Sequence, residues 1–208
     1  ITGDVYIGDS ETHKVRVVTG LPGGTTGGLA GLSSYQTETF EVAGRACKVT
    51  IPKEAAEGKP WIWRCRFYGA FPSVDQALLA EGWHVAWIDV ANLFGAPAAM
   101  DAFETFYATV VPKFGLSAKP VMEGFSRGGL PASNWAIENP DTVAGVYLDA
   151  PVLDIHSWPK PYSPQLWETC MKVYGLTSAN ADGWKGPLDR LEALAKNAVP
   201  VMVVAGGA

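Results

Sequence analysis

Apolar and polar positions follow two different periods along this chain. Residues 35–42 alternate in part, with Tyr35, Thr37, Thr39 and Glu41 on one side, and a second strand-like run at 45–51 follows Ala43-Gly44. Two such runs joined by a short turn read as a β-hairpin. Residues 61–67 and 84–90 are apolar runs of strand length. Residues 97–114 place Met100, Phe103, Phe106, Tyr107 and Val110 on one helical face, and 73–81 has helical spacing at Val74, Ala77 and Leu78 with Gly82 as a stop. Further on, the pattern predicts a strand at 119–123, a helix at 130–139, a strand at 143–148, a helix at 188–197 and a strand at 200–205. Strand–helix repeats behind a β-hairpin predict an α/β fold: a mostly parallel sheet with helices on both faces.

Ahead of this pattern, 4–7 and 14–18 are short strand-like pieces. Residues 20–31 are too rich in glycine to hold a regular element and read as a linker. The expected organisation is an N-terminal extension and linker over 1–34 and one compact domain over 35–208. Ile1 is not a natural start, so a leader or an upstream domain could have been removed, which leaves a secreted or periplasmic location open. The chain is 48% hydrophobic and 18% charged, with a net charge of -5. This is the composition of a globular chain, and it carries no basic block for nucleic acid. Its longest apolar stretches are strand-sized, short of a membrane span. Cys47, Cys65 and Cys170 lack metal-ligand spacing and read as buried free thiols.

The chemically informative segment is Gly124-Phe125-Ser126-Arg127-Gly128-Gly129, a G-x-S-x-G string between a predicted strand and a predicted helix. In that setting the serine sits at the apex of a strained turn and its hydroxyl projects from the sheet edge. The turn brings strand and helix backbones together, so side chains at Gly124 or Gly128 would clash. The helix start directs N–H groups and its positive dipole end at a developing oxyanion.

On these residues the chain, from about Tyr35 onward, resembles the α/β-hydrolase superfamily. More narrowly it resembles bacterial esterase-like members related to the dienelactone-hydrolase and prolyl-oligopeptidase groups. The segments that carry the resemblance are 61–69, 82–89, 124–129 and Asp149-Ala-Pro-Val-Leu-Asp154. It implies Ser126 as nucleophile, with oxyanion N–H groups from Arg127 and from the 67–70 loop, where Tyr68 is favoured. It implies no metal or organic cofactor. Arg64 and Arg66 alternate on their strand and either pair with carboxylates or bind an acidic substrate group.

In this superfamily the chain order is Ser, then Asp or Glu, then His. The strand at 200–205 resembles the one that precedes the acid, and Gly206-Gly207-Ala208 stands where the acid loop should begin, so the C-terminal part is expected to be missing. Of the three histidines, His13 precedes the linker and His84 opens a buried strand. His156 follows Asp149-Ala-Pro-Val-Leu-Asp154 on a loop at the active-site edge. It is the in-chain candidate base, with Asp154 as orienter and Asp149 as the alternative; the bland role for His156 is a loop residue at the pocket rim. A rival signal, Gly8-Asp9-Ser10, resembles the opening of GDSL-type hydrolases but lacks their downstream Asp-x-x-His. Trp158 and Trp167 lie in a stretch that suits a cap. The expected function is hydrolysis of small carboxylic esters through an acyl-enzyme. The alternative is a catalytically inactive or truncated hydrolase fold with a binding role, in which a sheet edge after Val204 favours a homodimer.

Overall fold

The computed structural model describes the backbone of residues 5–9, 14–18 and 32–205, with side chains from residue 32 onward. Strands β1 (Val5–Asp9) and β2 (Lys14–Val18) pair antiparallel as a two-stranded sheet of their own. Ser10, His13 and residues 20–31 lie outside the described residues.

The expected hairpin is β3 (Gln36–Val42) and β4 (Arg45–Ile51), in register from Gln36↔Ile51 to Val42↔Arg45. Its two-residue turn puts both Ala43 (φ 50) and Gly44 (φ 71) in the left-handed region. That is the twist which matches two paired strands. Next come β5 (Trp61–Arg64), helix α1 (Ser73–Ala80), β6 (His84–Ile88), helix α2 (Pro97–Phe114) and β7 (Val121–Phe125). They are followed by helix α3 (Gly129–Glu138), β8 (Gly145–Asp149), helix α4 (Pro164–Tyr174), helix α5 (Glu192–Lys196) and β9 (Val201–Val204). The seven strands from β3 onward form one sheet in the order β3-β4-β6-β5-β7-β8-β9. Only β4 runs antiparallel to its neighbours β3 and β6; the pairs from β6 to β9 are parallel.

Central β5 is buried at all four positions, and its alternation separates two cores. Trp61 and Trp63 face α2 and α3, where Trp63 packs on Phe103 (ring centroids 4.5 Å apart), Phe106 (5.1 Å) and Trp135 (5.4 Å). Ile62 faces α1 and packs with Leu79 and Val85. The three cysteines are free and buried, as their spacing predicts.

The structure departs from the expected elements in three places. β5 ends at Arg64, short of 67, because Phe67 turns left-handed (φ 55) and leaves the extended region. The helix expected over 188–197 is a 3-10 turn, Pro187–Arg190, followed by the short α5. Helix α4 was not expected from the pattern, although its signals are present: Ser163 caps its start by accepting from Leu166 N (3.3 Å), Pro164 occupies the first turn, and Gly175 closes it at φ 64.

This strand order has one reversal. The connection leaving β5 runs through α1 to β6 on one side, and the connection leaving β7 runs through α3 to β8 on the other. A crevice therefore opens outside the carboxyl ends of β5 and β7, the place where open α/β sheets receive ligands.

Candidate active site

Ser126 stands at that reversal, directly after β7. The chain passes from strand into a 3-10 turn, Ser126–Gly128, and on into α3, with Ser126 itself left-handed at φ 50 and half-buried. The three glycines around it are dictated by contact. A Cβ on Gly124 would lie 2.7 Å from Leu148 Cδ2 and 2.9 Å from Gly129 Cα. One on Gly128 would lie 2.9 Å from Arg66 Cβ, and one on Gly129 would lie 2.8 Å from Val152 O. Strand, helix and two neighbouring loops thus converge on the serine more closely than any side chain permits. The Ser126 carbonyl accepts from Val152 N (2.8 Å), which ties the turn to the loop after β8. Other left-handed non-glycine residues gather at the same sheet edge: Phe67 after β5, Phe94 after β6 and Ala150 after β8. Such strain concentrates at functional sites.

The loop after β5 is held by Arg64, which is almost fully buried. Its Nε donates to the carbonyls of Arg66 (3.2 Å) and Phe67 (3.1 Å), and its Nη2 donates to that of Ala70. With these carbonyls drawn inward, the loop is fixed beside the Ser126 turn, where Phe67 meets Phe125 edge-on at 5.6 Å. Nη1 of Arg64 reaches Asp75 of α1 (2.6 Å) and Glu123 of β7 (3.1 Å). Of the two roles weighed for Arg64, the structure shows the carboxylate pairing. Asp75 Oδ1 and Glu123 Oε2 are buried without a hydrogen-bond partner. Burial and the charge of Asp75 push Glu123 up to about 8, against the pull of Arg64, and burial raises Asp75 as well.

Tyr68 lies in this loop, but its ring turns away from Ser126. It packs on Trp87 (5.8 Å) beneath Lys48, and its hydroxyl is bonded to that of Thr50. Any contribution from Tyr68 at the serine is therefore confined to its backbone. The amide of Arg127 lies in the first turn after Ser126, where N–H groups have no partner within the helix.

His156 and Asp154 are hydrogen-bonded neighbours in the loop after β8. Asp154 Oδ1 accepts from His156 N (2.8 Å) and lies 2.8 Å from Nδ1. Nε2, however, lies 2.9 Å from the carbonyl oxygen of Ala181, and the ring is flanked by Trp167 and Trp184. Both ring nitrogens thus face acceptors, and among the described residues no imidazole is hydrogen-bonded to Ser126. Asp149, the alternative orienter, is engaged by the Tyr147 hydroxyl (3.3 Å) on its own strand. His84 is buried in β6, where desolvation and the Lys59 charge lower its pKa. Trp158 stacks on Phe94 (5.7 Å) beside Arg127, and Trp167 lies on α4 against the His156 ring. Among the described residues, no cluster of His, Cys, Asp and Glu is arranged to hold a metal ion. No helix among them is long and apolar enough to cross a membrane.

No protein-family model and no curated protein matches this chain. Solved structures do match it. S-formylglutathione hydrolase FrmB from Staphylococcus aureus aligns with a TM-score of 0.61 at 14% identity, over 83% of this chain and 79% of its own. FphF, a fluorophosphonate-binding serine hydrolase of Staphylococcus aureus, aligns at 0.63 and 15%, over 83% and 79%. A puromycin-hydrolysing peptidase from Mycobacterium tuberculosis aligns at 0.62 and 14%, over 95% of this chain and 39% of its own. At such identities the likeness is one of architecture. The chain has the α/β-hydrolase fold.

Proposed function

We propose that this chain is a serine hydrolase of small carboxylic esters in which Ser126 is the nucleophile, set on a nucleophile elbow. One observation carries the reading. Ser126 is a left-handed, half-exposed serine held between contact-forced glycines at the carboxyl edge where the strand order reverses. The names of the matching structures, hydrolases and esterases among them, support it.

In the proposed reaction Ser126 Oγ attacks the carbonyl carbon and a base takes its proton. The oxyanion is held by the backbone N–H groups of Arg127 and Tyr68. The alcohol leaves with a proton returned by the base, and water then releases the acid from the acyl-enzyme. His156, oriented by Asp154, is the base assigned within the chain. That role requires the contact between Nε2 and Ala181 O to open when substrate enters. The same contact favours a second reading, in which the chain keeps the fold and binds its ligand without turning it over.

Hydrolysis of a short p-nitrophenyl ester by wild type, Ser126→Ala and His156→Ala separates these readings. We expect Ser126→Ala to lower kcat by about 10³-fold or more while the protein stays folded. A comparable loss in His156→Ala assigns it as the base. Loss in Ser126→Ala alone retains the nucleophile and removes His156 from the reaction. Turnover that survives Ser126→Ala refutes the proposal, and no turnover in wild type favours the binding role.

A further inference from the structure

Beside the Ser126 turn lies a narrow pocket whose charge is not balanced. Its walls include Val90, Phe94, Pro131 and Trp158, and its charged lining residues are Arg66 and Arg127. Both arginines lie against one aromatic ring: Arg66 Cζ is 5.0 Å from the centre of Phe67 and Arg127 Cζ is 5.1 Å from it. Arg127 is also 5.1 Å from the centre of Trp158, so two ring faces hold its plane. Among the described residues, Arg127 has no carboxylate within ion-pair distance. Arg66 has only Asp89, at 3.8 Å, and the Asp89 side chain is about half exposed. Nε of Arg66 is buried and has no hydrogen-bond partner. Two cations share one small space, and the Nε of one of them is buried without an acceptor. Left so, each feature is costly, and one anion would offset both. Burial, together with the neighbouring charge of Arg127, already lowers the pKa of Arg66, in keeping with that reading.

The pocket adjoins the Ser126 turn through its two arginines. Arg66 Cβ lies against Gly128, two residues after Ser126, and Arg127 is the next residue in the chain. The space is narrow, and its apolar walls suit a group that is flat and carries its charge on two oxygens. A carboxylate meets a guanidinium fork in this way.

We propose that Arg66 and Arg127 bind a carboxylate of the substrate, so that the ester acted on at Ser126 is one that also carries a free acid group. This rests on the hydrolase reading above. Two pairs of probes differ only in that charge. One is p-nitrophenyl hemiglutarate against its methyl ester, with the acid on the acyl side. The other is 4-acetoxybenzoate against methyl 4-acetoxybenzoate, with the acid on the leaving side. After subtraction of the uncatalysed rate, we expect kcat/KM to favour the free acid by tenfold or more in at least one pair, chiefly through KM. We expect Arg66→Gln and Arg127→Gln each to bring that ratio near one. Because the ratio is taken within each variant, a general loss of activity does not affect it. Calorimetric titration of Ser126→Ala with monomethyl glutarate supplies a readout independent of turnover and of the arginine variants. We expect binding that weakens as salt is added. Neutral esters hydrolysed as well as acids, with no binding of monomethyl glutarate, would overturn the carboxylate site and leave the hydrolase reading intact. Binding of monomethyl glutarate without turnover of any ester would keep the site and remove the reaction.

Discussion

Ser126 adopts a backbone conformation that costs an L-residue about 1–2 kcal/mol relative to ordinary geometry. A serine persists there only because the surrounding contacts leave the chain no other path. Two residues earlier Gly124 touches Leu148 and Ala132, and three residues earlier Glu123 enters a buried cluster with Arg64 and Asp75. The state of Glu123 gives this strand a pH dependence. In the folded protein its proton is held up to about pH 8, whereas an unfolded glutamate releases it near 4.5. The folded state therefore binds more protons across that interval, and the contribution of Glu123 to stability is full below about 4.5 and falls as pH rises through about 8. Asp75, also raised, acts in the same direction. We expect the Tm of the wild type to fall between pH 5 and about pH 8.5, and Glu123→Gln, which keeps the shape without the ionisation, to reduce that fall. Equal slopes in thermal melts of the two proteins would remove Glu123 as the source.

Among the elements, α4 shows how local signals and long-range packing divide the work. Ser163, Pro164 and Gly175 bound it in sequence, and its packed residues Leu166, Trp167, Cys170, Val173 and Tyr174 recur at helical spacing between β8 and β9. It is held by a satellite core, with Cys170 buried against Phe94, Leu130 and Ile155. A short amphipathic helix of this kind depends on its cap as well as on its packing. We expect Ser163→Ala to cost about 1 kcal/mol, measured as a shift in the urea midpoint at unchanged slope. No shift would mean that the satellite core alone fixes the helix. The same element carries Trp167 to the His156 ring, so loosening it is also expected to disturb the Asp154–His156 pair.

Across the whole molecule, Arg64 joins parts of the chain that are distant in sequence. It pairs Asp75 of α1 with Glu123 of β7 and holds the carbonyls of the loop after β5, and it is buried at the centre of the sheet. Removing it would leave Asp75 without its cation and the loop without its clamp. Breaking one partner out of a buried ion cluster is strongly destabilising, and we expect Arg64→Met to lose about 3–5 kcal/mol in urea unfolding. A loss below about 1 kcal/mol would show that the cluster is dispensable. This arginine also explains why β5 is only four residues long. The apolar run continues to Phe67, but the guanidinium draws the carbonyls of Arg66 and Phe67 out of the sheet.

Hydrophobic period and turn chemistry were enough to determine the parallel α/β class, the opening hairpin and the place of Ser126 on a strand-to-helix turn. Each of these depends on neighbours in the chain: Ala43-Gly44 between two alternating runs, or glycines flanking one serine. Only the tertiary structure decided which face each polar group serves. Arg64 and Arg66 are two residues apart and were equivalent in the sequence. Folding turned Arg64 to two carboxyls contributed 11 and 59 residues away, and left Arg66 beside Arg127 with a buried N–H unpaired. Likewise the pairing of His156 with Asp154 is local and was legible, whereas the carbonyl of Ala181 at its other nitrogen comes from 25 residues on. The strength of a charge or a base in a protein depends on what burial places opposite it, and that partner is chosen by the fold and not by spacing.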